Sequence, residues 1–345
     1  LEDMRRLAHI EDGNVFHVHC SIGITMIDSE KFDHDELIAQ ADIACREAKE
    51  NGRNRLKFYS MSEREAEKIV ADVGWVSKLR DAIDNNDFKL RFQPIVQITT
   101  GRITHHEVLL RLQTDDDKTI SPDAFLPAAV RFGLMGEIDS WLVENAILEL
   151  AEHRQDRPDL RFSINLSANA FETDDLTGFI RRHLQKNNVP PEAVIFEITE
   201  SLAVRHLTHV EKQIESLREL GCELALDDFG TGYSSFGYLQ RLPVDYIKID
   251  GCFVRDLVNN PVDQKMVRLI GEIGREAGMK TIAEYVQGGP TLALLAELGI
   301  DLAQGYYIGR PTSVPTTKSM PIPIRSGTRD GTYVIAGSET SKQSS

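Results

Sequence analysis

The stretch Val194–Gly230, VIFEITESLAVRHLTHVEKQIESLRELGCELALDDFG, decides the fold class of this chain. It opens with an apolar run at 194–199, continues through a segment with helical patterning, and closes with a second apolar run at 222–227. Short apolar runs separated by a helical segment predict two strands joined through a helix. The first run carries Glu197 with Glu200 just after it, and the second ends in Asp227, so the same stretch also points to chemistry at the strand ends.

The alternation of strand and helix extends in both directions from this stretch. Eight alternating strands predict a TIM-type (β/α)8 barrel. The first two strands are joined by the short turn TTGRIT, whose length suits a hairpin, so we expect an irregular, antiparallel first strand. Between Phe88 and Pro311 the apolar runs predict strands at 89–97, 104–112, 161–166, 194–199, 222–227, 245–250, 279–284 and 302–307.

The segment before the barrel has a different pattern. Within residues 1–60 we predict a buried strand at Val15–Met26, a helix at Asp35–Asn51 and a short strand at Arg55–Tyr59. This set looks like the end of a larger α/β domain. Residues 61–86 carry one apolar stripe at steps of three and four, which predicts a connecting helix packed on the next domain. A short dimerising coiled coil is the alternative for that stripe.

The barrel is predicted over residues 87–312, and a different composition follows it. Residues 313–345 are rich in Ser, Thr, Gly and Pro, which predicts a disordered tail. Only TYVIA (332–336) suggests local order there.

Composition and charge exclude several classes of protein. The 345 residues are 41% hydrophobic and 27% charged, which excludes a mainly disordered chain. The sequence has no apolar run long enough to span a bilayer and no signal peptide, so we expect no membrane contact from this segment. The formal net charge of −15 disfavours binding to duplex nucleic acid. Four scattered cysteines without a CxxC pair favour a cytoplasmic chain, either by itself or as the cytoplasmic part of a membrane-anchored protein.

Polar side chains stand near the ends of seven predicted strands, and barrel enzymes carry their chemistry at the carboxyl ends of the strands. Each of these groups emerges from an apolar run, where burying it without a partner would cost several kcal/mol. Something must therefore compensate them together. The groups are Glu107 with Arg111, Asn165, Glu197 with Glu200, Asp227 with Asp228, Lys248, Glu284 and Gln304.

Divalent metal is the simplest compensation. Two ions roughly 3.5–4 Å apart would use five carboxylates well. Lys248 adds a positive charge that could stabilise charge at a phosphate. Taken singly, each acid could instead cap a helix or form a salt bridge, Asn165 could cap the following helix, and Lys248 could be half of a barrel ion pair. The oxygen donors, which suit Mg²⁺ or Mn²⁺ rather than structural zinc, are Glu107, Asn165, Glu197, Asp227, Asp228 and Glu284.

The segment DDFGTGYSSF (Asp227–Phe236) approximates a dinucleotide-binding fingerprint, with Ser235 at the third glycine position. Two aspartates directly before the turn would repel a pyrophosphate, which argues against that interpretation. We predict a metal-binding strand end followed by a mobile, glycine-hinged loop.

Eight motifs follow one another along the chain: FQPIV, EVLLR, INLS, FEITES, DDFGTGYSSF, KID, AEYVQ and QGYYIGRP. In this order they resemble the EAL domain family of cyclic di-GMP phosphodiesterases, over about residues 75–312. The resemblance implies hydrolysis of one phosphodiester bond of cyclic di-GMP to linear pGpG by a water that two Mg²⁺ or Mn²⁺ ions activate. Residues 1–60 resemble the C-terminal part of a GGDEF domain, through CSIGIT, ADIACREAKENGRNR and KFY, but no GGDEF signature occurs, so we expect no synthesis of cyclic di-GMP.

The resemblance also implies a role for each matching residue. The first metal would be held by Glu107, Asn165, Glu197 and Asp227, and the second by Asp227, Asp228 and Glu284. The catalytic set would be Glu107, Lys248 as the holder of the water, and Glu284 as a possible base. The dinucleotide would be contacted by Gln93 and Arg111, with Gln304 supporting the site. Glu200 would anchor the Asp228–Ser235 loop, which in this family lies at the interface of a homodimer formed through the barrel.

Two positions depart from the family pattern. Gln287 stands where a second glutamate is usual, and Tyr285 stands where glycine is common. Gln287 keeps an oxygen acceptor but lacks the charge, which could weaken the metal site. The alternative to an enzyme is therefore a receptor that binds cyclic di-GMP with little or no cleavage. The presence of all six proposed ligands favours the enzyme.

Overall fold

The fold is taken from a computed structural model of the chain. Among the residues that it describes, no helix is both long and apolar enough to cross a membrane. These residues are 8–11, 14–17, 20–25, 34–50, 54–59, 63–113, 118–171, 175–205, 207–230, 239, 242–317, 323–324 and 334–335.

Strands and helices alternate through most of the described chain. The strands are β1 (Ala8–Glu11), β2 (Asn14–His17), β3 (Ile22–Ile24), β4 (Leu56–Phe58), β5 (Phe88–Gln97), β6 (Ile103–Gln113), β7 (Thr119–Ile120), β8 (Phe162–Asn165), β9 (Val194–Thr199), β10 (Glu223–Phe229), β11 (Tyr246–Ile249), β12 (Lys280–Ala283), β13 (Leu302–Ala303), β14 (Pro323–Ile324) and β15 (Val334–Ile335). The helices are α1 (His34–Glu50), α2 (Glu63–Asn85), α3 (Leu126–Arg131), α4 (Met135–Arg154), α5 (Ala168–Phe171), α6 (Leu176–Lys186), α7 (Glu200–Arg205), α8 (Leu207–Leu220), α9 (Gly251–Val254), α10 (Pro261–Glu276) and α11 (Gly289–Leu298). Pro122–Ala124 and Pro191–Ala193 form short 3-10 helices.

The chain divides into two compact units. The first comprises Leu1–Asp87 with Ile120–Leu134, and the second comprises Phe88–Thr119 with Met135–Ser345. In the first unit α2 lies beside α3, and the ring of Trp75 packs against that of Phe125 with centroids 6.2 Å apart.

The N-terminal strands of the first unit differ from the prediction. A single buried strand at Val15–Met26 is wrong, because β2 and β3 are separate strands and Ile22 on β3 is 37% exposed. In this part of the unit β3 pairs in parallel with β4, and α1 packs against both strands. Gly23 allows the close packing, since a Cβ there would lie 1.9 Å from the carbonyl oxygen of Ala41 on α1.

The second unit is a closed barrel of eight strands. The ring runs in the order β5, β13, β12, β11, β10, β9, β8 and β6, and β5 pairs back onto β6. The strands β6 and β8 to β13 are parallel, whereas β5 is antiparallel to both of its neighbours. The predicted TIM-type barrel with an antiparallel first strand is therefore confirmed.

An apolar layer fills part of the barrel interior. Because side chains on a strand alternate between its faces, the residue two positions further along points to the same interior. Four parallel strands carry a charged residue at that next position, so a set of charged side chains lies directly on the core. The layer consists of Ile95, Ile195, Ala225, Tyr246, Ile282 and Leu302. The charged residues that follow it are Glu197, Asp227, Lys248 and Glu284.

The last barrel strand is shorter than predicted. The predicted strand at 302–307 ends at Ala303, and the chain turns at Gly305, whose φ is +155°. A Cβ at Gly305 would lie 2.3 Å from the backbone nitrogen of Val286, so only glycine allows this close approach.

Part of the C-terminal segment is described. Thr312 pairs with Phe92, and the chain is described without interruption as far as residue 317. Beyond that point β14 pairs with β15, which lies inside the predicted TYVIA segment. The rest of the predicted disordered tail lies outside the described residues.

Replacing Phe162 by alanine tests the packing around the barrel. Phe162 is fully buried and stacks on Phe92, with ring centroids 4.9 Å apart. We expect Phe162→Ala to lower the free energy of unfolding by about 3–5 kcal/mol in urea denaturation, because it leaves a cavity. Leu148→Ala is the control, since Leu148 is 53% exposed. A loss below about 1 kcal/mol for Phe162→Ala would contradict this packing.

Candidate functional site

The ammonium group of Lys248 is the centre of the site. Lys248 is 1% exposed and lies on β11, with acidic side chains around it. The interpretation of Lys248 as half of a barrel ion pair is thus true in part, but among the described residues its acidic partners number four rather than one. The distances from Nζ to the carboxylate oxygens are 2.6 Å to Glu197, 2.9 Å to Glu284, 3.1 Å to Asp227 and 3.6 Å to Glu107.

Amide side chains hold Glu107 in position. The Nδ2 of Asn165 donates to one carboxylate oxygen of Glu107 at 2.9 Å, and the Nε2 of Gln304 donates to the other. The Nε2 of Gln304 also donates to Gln93 Oε1 at 3.2 Å, and Gln93 in turn donates to the carbonyl of Gly309. In this arrangement Asn165 uses its NH₂ group on Glu107, which leaves its amide oxygen as the atom able to meet a cation.

Burial and crowding shift the pKa values of these groups. Burial by itself disfavours the charged ammonium, but the surrounding carboxylates outweigh it and raise the pKa of Lys248 well above its ordinary value. Burial raises the pKa of Glu197 to about 8 and that of Glu284 to about 7, although the nearby Lys248 lowers both. Burial and then the neighbouring Asp227 raise the pKa of Asp228. The site therefore holds more acid groups than a single lysine can neutralise.

The carboxylates suit a hard cation. Asp227, Asp228 and Glu284 each offer an oxygen, and these three oxygens lie within 4.8 Å of one another. One oxygen of Glu197 is buried with no hydrogen-bond partner among the described residues. A cluster of oxygen donors with spare negative charge and an unsatisfied carboxylate oxygen fits Mg²⁺ or Mn²⁺.

One of these acids, Asp228, and the neighbour of another, Tyr285, have left-handed backbones. Asp228 has a φ of +55° and Tyr285 a φ of +54°, a region that favours glycine. The amide of Asp228 donates to Asp227 Oδ1 at 2.9 Å, and the ring of Tyr285 lies 4.2 Å from the guanidinium carbon of Arg255. A non-glycine residue in this region carries backbone strain on the order of 1–3 kcal/mol. The φ value explains why glycine suits the position of Tyr285.

The remaining predicted residues make other contacts. Glu200 is buried, and its Oε2 accepts a hydrogen bond of 2.9 Å from the amide of Gly230, directly after β10. The predicted mobile loop lies largely outside the described residues, since 231–238 are not described. Arg111 follows Glu107 on β6 and donates to the carbonyl of Leu110. Gln287 is exposed in the segment after β12.

Sequence reasoning missed Asp139. This buried acid on α4 accepts hydrogen bonds from the hydroxyl and the amide of Ser167, two residues after Asn165. A signal existed in the sequence, because Asp139 interrupts the apolar face that Ile138 and its neighbours form on α4.

Asn165 does not cap the next helix. Ser167 does, since its hydroxyl accepts from the amide of Asn169 at 3.2 Å.

Several proteins of known name are similar in sequence to this chain. The cyclic di-GMP phosphodiesterase PdeB of Shewanella oneidensis is 38% identical over 297 residues, which are 86% of this chain and 35% of that protein. The chain thus spans about a third of the relative's length. Residues 2–55 match the family described as diguanylate cyclase, GGDEF domain.

Solved structures share the barrel. The PaMucR phosphodiesterase in complex with c-di-GMP matches with a TM-score of 0.67 and 33% identity, over 70% of this chain and 98% of that one. The FimX EAL domain from Pseudomonas aeruginosa bound to c-di-GMP matches with a TM-score of 0.66 and 30% identity, over 71% of this chain and 99% of that one. Residues 76–311, more than half of the chain, match the EAL domain family. The chain therefore belongs to the EAL domain family.

Proposed function

We propose that this chain is a metal-dependent phosphodiesterase that hydrolyses one phosphodiester bond of cyclic di-GMP to give linear pGpG. The observation that carries the proposal is the convergence of four carboxylates on the buried Lys248. The substrate class is supported by a relative named as a cyclic di-GMP phosphodiesterase and by related EAL structures in complex with c-di-GMP.

The proposed cofactors are two Mg²⁺ or Mn²⁺ ions. Bound divalent ions would supply Lewis acidity to the phosphate and lower the pKa of a water. Three acids whose oxygens lie within 4.8 Å of one another support the second ion. The residues proposed for the first ion are Glu107, Asn165, Glu197 and Asp227, and those for the second are Asp227, Asp228 and Glu284.

Lys248 and Glu284 are proposed to act on the attacking water. The three N–H bonds of the Lys248 ammonium can orient a water oxygen, because the surrounding acids hold Nζ in place. Glu284 Oε1 lies 2.9 Å from that ammonium, so a water bound to Lys248 would have a carboxylate beside it that can accept its proton. Glu107 completes the proposed catalytic set, with its two oxygens held by amides.

Substrate contacts are proposed for Gln93, Gln304 and Arg111. Gln93 and Gln304 are buried and linked by a hydrogen bond, and Arg111 follows Glu107 on β6. A guanidinium group suits recognition of a phosphate. Glu200 is proposed to anchor the loop that begins after β10. The homodimer through the barrel stays a prediction.

A receptor that binds cyclic di-GMP without cutting it is the alternative. The observation that favours it is Gln287, which lacks the charge of the glutamate usual in the family. Its exposed position after β12 weakens that argument, because the acids around Lys248 are buried or half-buried.

The direct test is incubation of the purified chain with cyclic di-GMP and Mg²⁺ or Mn²⁺, followed by chromatographic separation of the nucleotides. We expect pGpG to form with metal and not with EDTA. Saturable binding of intact cyclic di-GMP without product would favour the receptor. If the chain neither binds cyclic di-GMP nor forms product, both functions are refuted.

Asp227→Asn tests the metal site itself. We expect the variant to lose turnover and the Mn²⁺-induced rise in melting temperature, because a cation that binds only the folded state stabilises it. The fold is expected to persist, as judged by circular dichroism. The matched control is Asp245→Asn, since Asp245 lies before β11 at the opposite end of the barrel, where it accepts from the amide of Leu224. A fully active Asp227→Asn protein would refute the two-metal proposal.

Gln287→Glu tests the departure from the family pattern. A single exposed charge contributes up to about 1 kcal/mol, so we expect the rate to change by no more than about fivefold. Steady-state assays at saturating Mn²⁺ measure this. An inert wild-type chain that becomes active through Gln287→Glu would instead support the receptor.

A further inference from the structure

Asp139 is a buried carboxyl group to which the proposed chemistry gives no role. It is 6% exposed on α4, between buried apolar residues that include Ile138 and Leu142. Burial raises the pKa of Asp139 to about 6, although the hydrogen bonds from Ser167 lower it. Burying a carboxyl group on an apolar helix face costs free energy unless hydrogen bonds compensate it. The hydrogen bonds of Asp139 therefore indicate its role.

Both carboxylate oxygens of Asp139 are used on one residue. The hydroxyl of Ser167 donates to Oδ2 at 2.5 Å, and the amide of Ser167 approaches Oδ1 at 3.4 Å. Hydrogen bonds to an ionised acceptor are stronger than those between neutral groups. The same hydroxyl also accepts a hydrogen bond from the amide of Asn169. Its orientation is therefore fixed by one bond that it donates and one that it accepts. Asp139 thus fixes the backbone where β8 passes into α5.

This backbone segment carries a proposed metal ligand. Asn165 is the last residue of β8, and Leu166 separates it from Ser167. The amide of Leu166 donates to the carbonyl of Glu197 at 2.9 Å. The segment is therefore held by β9 on one side and by Asp139 on the other. Between these two attachments, the Asn165 side chain reaches Glu107.

We propose that Asp139 is a positioning residue, whose two bonds to Ser167 hold Asn165 against Glu107 and leave its amide oxygen available to the first metal. The inference rests on the proposed function, which supplies that metal. Asp139 itself touches neither metal nor substrate in this scheme. Its effect passes through the three residues from Asn165 to Ser167.

The fold provides a matched control at the other end of the barrel. Asp301 Oδ2 accepts from both the amide and the hydroxyl of Thr281, each at 2.9 Å. This is the same pair of donors on one carboxylate, but Thr281 lies near the start of β12 rather than at the functional end. Removing either carboxylate removes similar hydrogen bonds. Asp139 bonds to the segment that carries Asn165, whereas Asp301 bonds to the start of β12.

The test is Mn²⁺ titration calorimetry of the whole chain, at a temperature where circular dichroism shows each variant folded. We expect Asp139→Ala to weaken Mn²⁺ binding by about 10–100-fold, as for residues that orient metal ligands. Asp301→Ala is expected to bind Mn²⁺ as the wild type does. Ser167→Ala is expected to reproduce the loss and Ser167→Thr, which keeps the hydroxyl, to restore most of the affinity. The Ser167 pair also keeps the inference testable if Asp139→Ala does not fold.

The outcomes separate this inference from the proposed function. Wild-type metal affinity in both Asp139→Ala and Ser167→Ala would overturn the inference while leaving the proposed function intact. An equal loss in Asp301→Ala would overturn it too, since the effect would then be general destabilisation. A wild-type chain that neither binds Mn²⁺ nor cuts cyclic di-GMP would refute the proposed function, and the inference with it.

Discussion

The buried ammonium group of Lys248 holds the functional end of the barrel together. Its Nζ lies within 3.6 Å of carboxylate oxygens from four other parts of the barrel. Without that positive charge, four acids would face one another in surroundings that screen charge poorly. The same crowding makes the site receptive to further cations, because one lysine does not neutralise four acids. The stability of this end and its capacity for metal thus have one origin.

The barrel brings these groups together through the alternation of side chains along each strand. Ile195, Ala225, Tyr246 and Ile282 belong to the apolar layer, and the residue two positions later in each case is charged. Parallel strands in register place those charged residues at one level, directly above the apolar core layer. Around it, Asn165 and Gln304 orient Glu107, and Asp139 holds the segment that carries Asn165.

The parts predicted well are those that depend on local pattern. The eight apolar runs and the short turn before Ile103 specify a barrel with an antiparallel first strand, because strand periodicity and hairpin length are local properties. Strand ends were predicted less well. The strand from 302 stops at Ala303 where Gly305 meets the backbone of Val286, and the run at 15–26 divides into separate strands. Those limits depend on neighbours distant in sequence.

For this protein, the sequence alone determined the fold class, the family and the set of polar residues at the strand ends, because each is encoded in short motifs and their order. Only the tertiary structure decided how those residues pair. It gave Lys248 four acidic partners and assigned the helix cap to Ser167 rather than to Asn165. It also connected Asp139 to the site across 28 residues of sequence. Such pairings depend on distances between separate strands and helices, which no local pattern of residues specifies.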